Sequence, residues 1–226
     1  MSDTPPNPEL LRALCKLVRG LSALFWGLPA ALIVCAGTAV GGWFRAFSIA
    51  PAMLTTGLIL YGLWQIGAFQ KQEYPWRVAL DRARLVALVN FGLSPFLYWW
   101  NRMPDNPFFT TVVGLLAVTS LLFLFNLNHV IARLGEMIPD EMLRQETRQF
   151  TMINRSLLVL LLVIASGYVF LLQMPNLPGG LIHILIRLQH IGQPVVMLLV
   201  LLPLSLTMSL LWKTKEVIMD SLFTHR

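Results

Sequence analysis

The stretch Leu85–Trp100, LVALVNFGLSPFLYWW, decides how this chain is folded. Crossing about 30 Å of hydrocarbon takes roughly 20 apolar residues in a helix. This run is short of that and is interrupted by Asn90 and Pro95. If it crosses a bilayer, the number of crossings in the whole chain is even and both ends share one side. If it does not, the second half of the chain turns over.

The surroundings make a bilayer the expected solvent. The 226 residues are 56% apolar and 12% charged, with mean hydropathy +0.67, more apolar surface than a soluble core of this size absorbs. Six apolar runs are separated by turn residues or charge: Leu21–Trp43, Phe47–Phe69, Leu85–Trp100, Phe108–Ala132, Leu157–Met174 and Ile191–Trp212. If all six cross, fourteen of the seventeen Lys and Arg residues fall on one side, and only Arg45, Arg102 and Arg187 fall on the other. The positive-inside rule then places both termini in the cytoplasm. Without the third run, Arg133, Arg144, Arg148 and Arg155 would be sent outside, so parity and charge agree on six.

The fold expected is all-α: a polytopic membrane bundle of six transmembrane helices forming a single domain over residues 1–226, with an N-terminal amphipathic helix. That helix opens at Asn7-Pro8-Glu9, cap, proline and acid in order. Leu10, Leu14, Leu17, Val18 and Leu21 then recur at helical spacing opposite Arg12, Lys16 and Arg19, the pattern of an arm lying at the inner leaflet. A second amphipathic helix is expected from Pro139 to Asn154, where Glu141, Arg144 and Arg148 form a polar face, read first as a solvated cytoplasmic extension of the fifth span and second as a surface for docking a cytoplasmic partner. Trp43-Phe44 and Tyr98-Trp99-Trp100 are placed at the outer interface, and Tyr74, Trp76 and Trp212 at the inner one. The first run is too long for the apolar core of a signal peptide and no small-x-small site follows it, so it reads as a permanent span. Cys15 and Cys35 would stand about 30 Å apart along one helix, which excludes a disulfide between them.

Chemistry-bearing motifs are scarce. There is no phosphate-binding glycine loop, dinucleotide fingerprint, zinc helix or nucleophile elbow. No Asp or Glu lies in the six runs, which disfavours proton- or cation-coupled pumping. Three clusters remain. His183, Arg187 and His190, in LIHILIRLQHIGQP, follow i, i+4, i+7 spacing and share one helical stripe, read first as an anchor at the outer membrane boundary and second as a site for a lipid headgroup or a quinone; the two histidines are too far apart to share one metal. Asn126, His129 and Arg133 share a face at the inner end of the fourth run. Gly37 and Gly41 form a small-xxx-small pair suited to close helix packing. Asn154-Arg155-Ser156 spells a glycosylation acceptor, expected to be unused on the cytoplasmic side and against lipid.

The functional expectation is a non-enzymatic subunit or scaffold of the bacterial inner membrane. Its partners would be the lipid bilayer and other membrane-protein subunits or a second copy, with no nucleic acid, no cofactor and no metal. The alternatives are a small-solute or lipid transporter or channel, and a quinone-binding or redox subunit.

Overall fold

The computed structural model describes residues 8–40, 47–69, 73–137, 141–172 and 199–219. They are helical almost throughout, with no strand among them. The elements are α1 (Pro8–Val40), α2 (Ala50–Ile66), α3 (Tyr74–Leu93), α4 (Phe96–Arg102), α5 (Pro107–Met137) and α6 (Glu141–Leu172). A further helical segment, α7, covers residues 199–219. Three helices are long and apolar enough to cross a membrane, over Arg12–Ala39, Pro107–Met137 and Thr147–Leu171. A membrane bundle is therefore the natural reading of this all-α chain.

Both amphipathic segments are continuous with the apolar runs that follow them. α1 starts at Pro8, where a missing N–H costs nothing, and runs 33 residues, about 50 Å at 1.5 Å per residue. Its stripe of Leu17, Leu21, Leu24 and Leu28 is buried in the core beside Ile59, Leu63 and Ile66 of α2. The apolar face that suggests an arm on the leaflet is thus, from Leu17 onward, a helix–helix seam. At this seam the two backbones nearly touch: a Cβ added at Gly20 would lie 2.6 Å from Ile66 Cγ1 and 2.7 Å from the Gly62 carbonyl oxygen. In the same way α6 begins at Glu141 and continues as one 32-residue helix to Leu172, so the second amphipathic segment is not a separate element.

The stretch that decides the fold is helical with a break. α3 already begins at Tyr74, so most of the charged Lys71 to Arg84 segment is helix rather than connection. It ends at Leu93, and α4 resumes at Phe96 with Pro95 as its cap residue. Pro95 has no N–H to give the Phe91 carbonyl four residues back. The Ser94 hydroxyl donates to that carbonyl instead, at 2.9 Å. Thr56 of α2 reaches the same hydroxyl at 3.4 Å, and Ser94 is 1% exposed, so the break is filled and hidden.

Cross-helix contacts set the order of the bundle. At one end, Gly20 of α1 meets Ile66 of α2, Arg84 of α3 donates to the Leu63 carbonyl of α2, Gly135 of α5 meets Thr147 of α6, and Lys213 of α7 lies over the Phe150 ring of α6. At the other end, Asn101 Nδ2 of α4 donates to the Ala39 carbonyl of α1 at 3.0 Å, and Trp100 Nε1 donates to Thr110 Oγ1 of α5 at 3.3 Å. The α3–α4 unit therefore travels from end to end, and successive elements alternate in direction. Arg12, Lys16, Arg19, Arg77, Arg82, Arg84, Arg133, Arg148, Lys213 and Lys215 lie toward the first end, Arg155 stands about two turns farther along α6 than Thr147, and Arg102 lies at the second end.

Trp76 departs from its expected place. It is 1% exposed rather than interfacial, and its indole N–H donates to the Phe69 carbonyl at 3.2 Å, clamping the turn between α2 and α3. Tyr74, Trp99 and Trp212 are exposed, as a membrane-edge belt requires.

Candidate functional site

Of the clusters singled out in the sequence, the stripe of His183, Arg187 and His190 lies outside the described residues. So do Gly41 and the side chains of Glu141 and Arg144. Gly37 sits in the last turns of α1, and a close backbone approach is made by Gly20 and Gly62. Asn126, His129 and Arg133 do occupy one side of α5, but they are not bonded to one another. Asn126 Nδ2 turns back to the Leu122 carbonyl at 2.8 Å, Arg133 pairs with Glu136 at 2.8 Å on the same helix, and His129 is exposed. Arg148 is exposed on α6 beside Gln145 and Gln149, while Thr147 faces inward and its methyl side packs over Gly135. That contact holds the first turns of α6 against the end of α5, so the polar ledge is an ordered surface.

A polar seam that the sequence reading missed lies deeper. In the antiparallel pair α5/α6, Gly135 faces Thr147 and Gly114 faces Val169. Seven residues inward from the first of these contacts along each helix stand Asn128 and Asn154, which therefore lie level with each other. Both are buried, at 1% and 0% exposure. Asn154 Nδ2 donates to Thr207 Oγ1 at 2.9 Å and to the Pro203 carbonyl at 3.2 Å, tying α6 to α7. Asn154 Oδ1, both amide atoms of Asn128 and the hydroxyls of Thr147 and Thr151 have no hydrogen-bond partner. Buried polar groups without partners are costly, and a carboxamide both donates and accepts. The seam is thus a place where a small polar guest, or a rotation of one amide, gains hydrogen bonds.

The signal for this seam is present in the sequence. Thr147, Thr151 and Asn154 recur at i, i+4, i+7, but Asn154 reads as a glycosylation acceptor against lipid. The structure corrects that placement: Asn154 is enclosed between helices and its amide nitrogen is already engaged. Among the described residues no group of three His, Cys, Asp or Glu side chains gathers at metal-binding distance.

A further concave feature is an open groove of about 520 Å³ along the outer face of α2, lined by Lys16, Gly57, Leu60, Tyr61, Trp64, Gln65, Ala68 and Phe91. Lys16 stands at the basic end of the bundle and Gly57 toward the middle, where its missing side chain leaves a recess beside Phe91. The Arg84 guanidinium lies 5.9 Å from the centroid of the Trp64 ring and holds one edge of the groove.

No family model matches this chain, and no curated protein or solved structure shows significant similarity to it.

Proposed function

We propose that this protein is a non-enzymatic subunit or scaffold of the bacterial inner membrane, crossing it six times with both termini in the cytoplasm. Support for the threading comes from the alternation of the elements and from the gathering of cations at one end of the bundle, the pattern left by positive-inside sorting. The observation that carries the subunit reading is the polar ledge of α6. Arg148, Gln145 and Gln149 point outward from a helix that is continuous with an apolar span and is braced on Gly135. A surface already ordered in this way loses little conformational freedom on binding, which favours a stable docking partner on the cytoplasmic side.

The test is affinity purification of the full chain in mild detergent, with identification of what co-purifies. Arg148→Glu is expected to release a specific partner that Asp105→Lys, at the far end, retains. A chain that purifies alone as a monomer in every detergent would overturn the subunit reading.

The runner-up is a small-solute or lipid transporter or channel, and the unpartnered amide of Asn128 with the unpartnered Oδ1 of Asn154 favours it, because polar groups at such depth are where a permeant could be held. In proteoliposomes, solute flux that is abolished by Asn154→Leu would support it; flux no greater than in empty vesicles would remove it.

A further inference from the structure

We infer that the groove along α2 binds one anionic phospholipid of the leaflet at the basic end, its phosphate at Lys16 and one acyl chain lying from Tyr61 to the recess at Gly57. The inference rests on the reading that this bundle crosses a membrane.

The groove is open along its length, with a volume of about 520 Å³, so it suits a chain lying along a helix face rather than an enclosed molecule. From Gln65 to Gly57 the groove runs along eight residues of helix rise, about 12 Å, with Ala68 and Lys16 beyond Gln65 at the basic end. Along that path the chemistry changes in the order a lipid requires. The basic end carries Lys16, with Arg12 and Arg19 on the same exposed stripe of α1 at i−4 and i+3. No residue lining the groove is acidic, so nothing there opposes a phosphate. Next come the Gln65 amide, the Trp64 indole N–H and the Tyr61 hydroxyl, donors suited to phosphate and ester oxygens. Beyond them the walls are Leu60, Gly57 and Phe91, which are purely apolar.

Gly57 is the shape-determining position. A Cβ there would meet only Phe91 Cε2, at 3.6 Å, so helix packing does not demand glycine at this site. What the missing side chain does create is room on the lipid-facing side. Trp64 is 64% exposed beside the groove, with the Arg84 guanidinium 5.9 Å from its ring centroid.

The experiment uses the full chain in nanodiscs, with phospholipids brominated on the acyl chain as contact quenchers of tryptophan. The Trp64 contribution is taken as the difference from the Trp64→Phe variant, and exposed Trp26 is the internal control. Brominated phosphatidylglycerol is expected to quench Trp64 at lower mole fraction than brominated phosphatidylcholine. Lys16→Gln is expected to raise the half-quenching fraction of phosphatidylglycerol roughly fivefold, the equivalent of about 1 kcal/mol for one basic residue at the membrane surface. Gly57→Leu, with helix content unchanged, is expected to weaken quenching by both lipids.

Identical curves for the two lipids, unmoved by Lys16→Gln, would reduce the groove to ordinary annular contact and overturn the inference. Quenching at Trp26 but not at Trp64 would overturn it as well, by showing the groove covered by protein. If neither tryptophan is quenched by any brominated lipid, the membrane placement itself falls, and the inference falls with it.

Discussion

Replacing Gly20 by alanine tests the α1–α2 seam directly. The new Cβ would sit 2.6 Å from Ile66 Cγ1 and 2.7 Å from the Gly62 carbonyl oxygen, far inside van der Waals contact. A side chain can swing away, but a backbone carbonyl within α2 cannot, so the helices must part. Parting them loosens Leu17, Leu21, Leu24, Leu63 and Ile66, all nearly inaccessible. Overpacking of this kind costs about 1–3 kcal/mol. Alanine also favours the helix over glycine by about 1 kcal/mol, which masks part of the clash. Gly167→Ala on α6 removes that ambiguity, because nothing lies within 4 Å of its added Cβ and the helix gain is shared. The difference between the two variants then isolates the clash. We expect Gly20→Ala to be less stable than Gly167→Ala by about 1–3 kcal/mol in dodecyl-sulfate unfolding followed by circular dichroism. Equal stability would refute the close approach of α1 and α2.

Two further outcomes follow from the same geometry. Ser94→Ala removes the donor that replaces the absent Pro95 N–H at the Phe91 carbonyl, in a site 1% exposed, and should cost about 1–3 kcal/mol in the same assay; a neutral effect would mean that the break is not sealed by this hydroxyl. Cys15 is exposed at the basic end and Asn106 is exposed at the other. In inverted membrane vesicles an impermeant maleimide should label native Cys15, but should reach Asn106→Cys in a Cys15→Ser background only after the vesicles are opened; labelling of both from one side would break the six-span threading.

Much of the architecture is legible in the sequence because hydropathy adds up along a chain. Runs of apolar residues, the prolines that open α1 and break the third run, and the distribution of cations are local properties, and they need no partner to be read. The stretch Leu85–Trp100 is the clearest case: Pro95 announces a break, and the helix does break there, between Leu93 and Phe96. The candidate sites were less legible. Gly20 and Gly62, where two backbones meet, carry no motif spacing within either helix. Trp76 has the composition of an interfacial anchor and is buried at a turn. Asn154 has the letters of a glycan acceptor and is locked to Thr207.

What the sequence alone determined, then, is that the chain is all-α and that its long helices are apolar enough for lipid. Only the tertiary structure decided which face of each helix meets protein. That choice depends on the register between helices far apart in the chain: Asn128 and Asn154 become a seam because Gly135 sets α5 against Thr147, and Lys16 and Gly57 border one groove because Gly20 sets α1 against Gly62. Periodicity marks a stripe on one helix, but a contact needs two stripes at the same height, and height is fixed by packing.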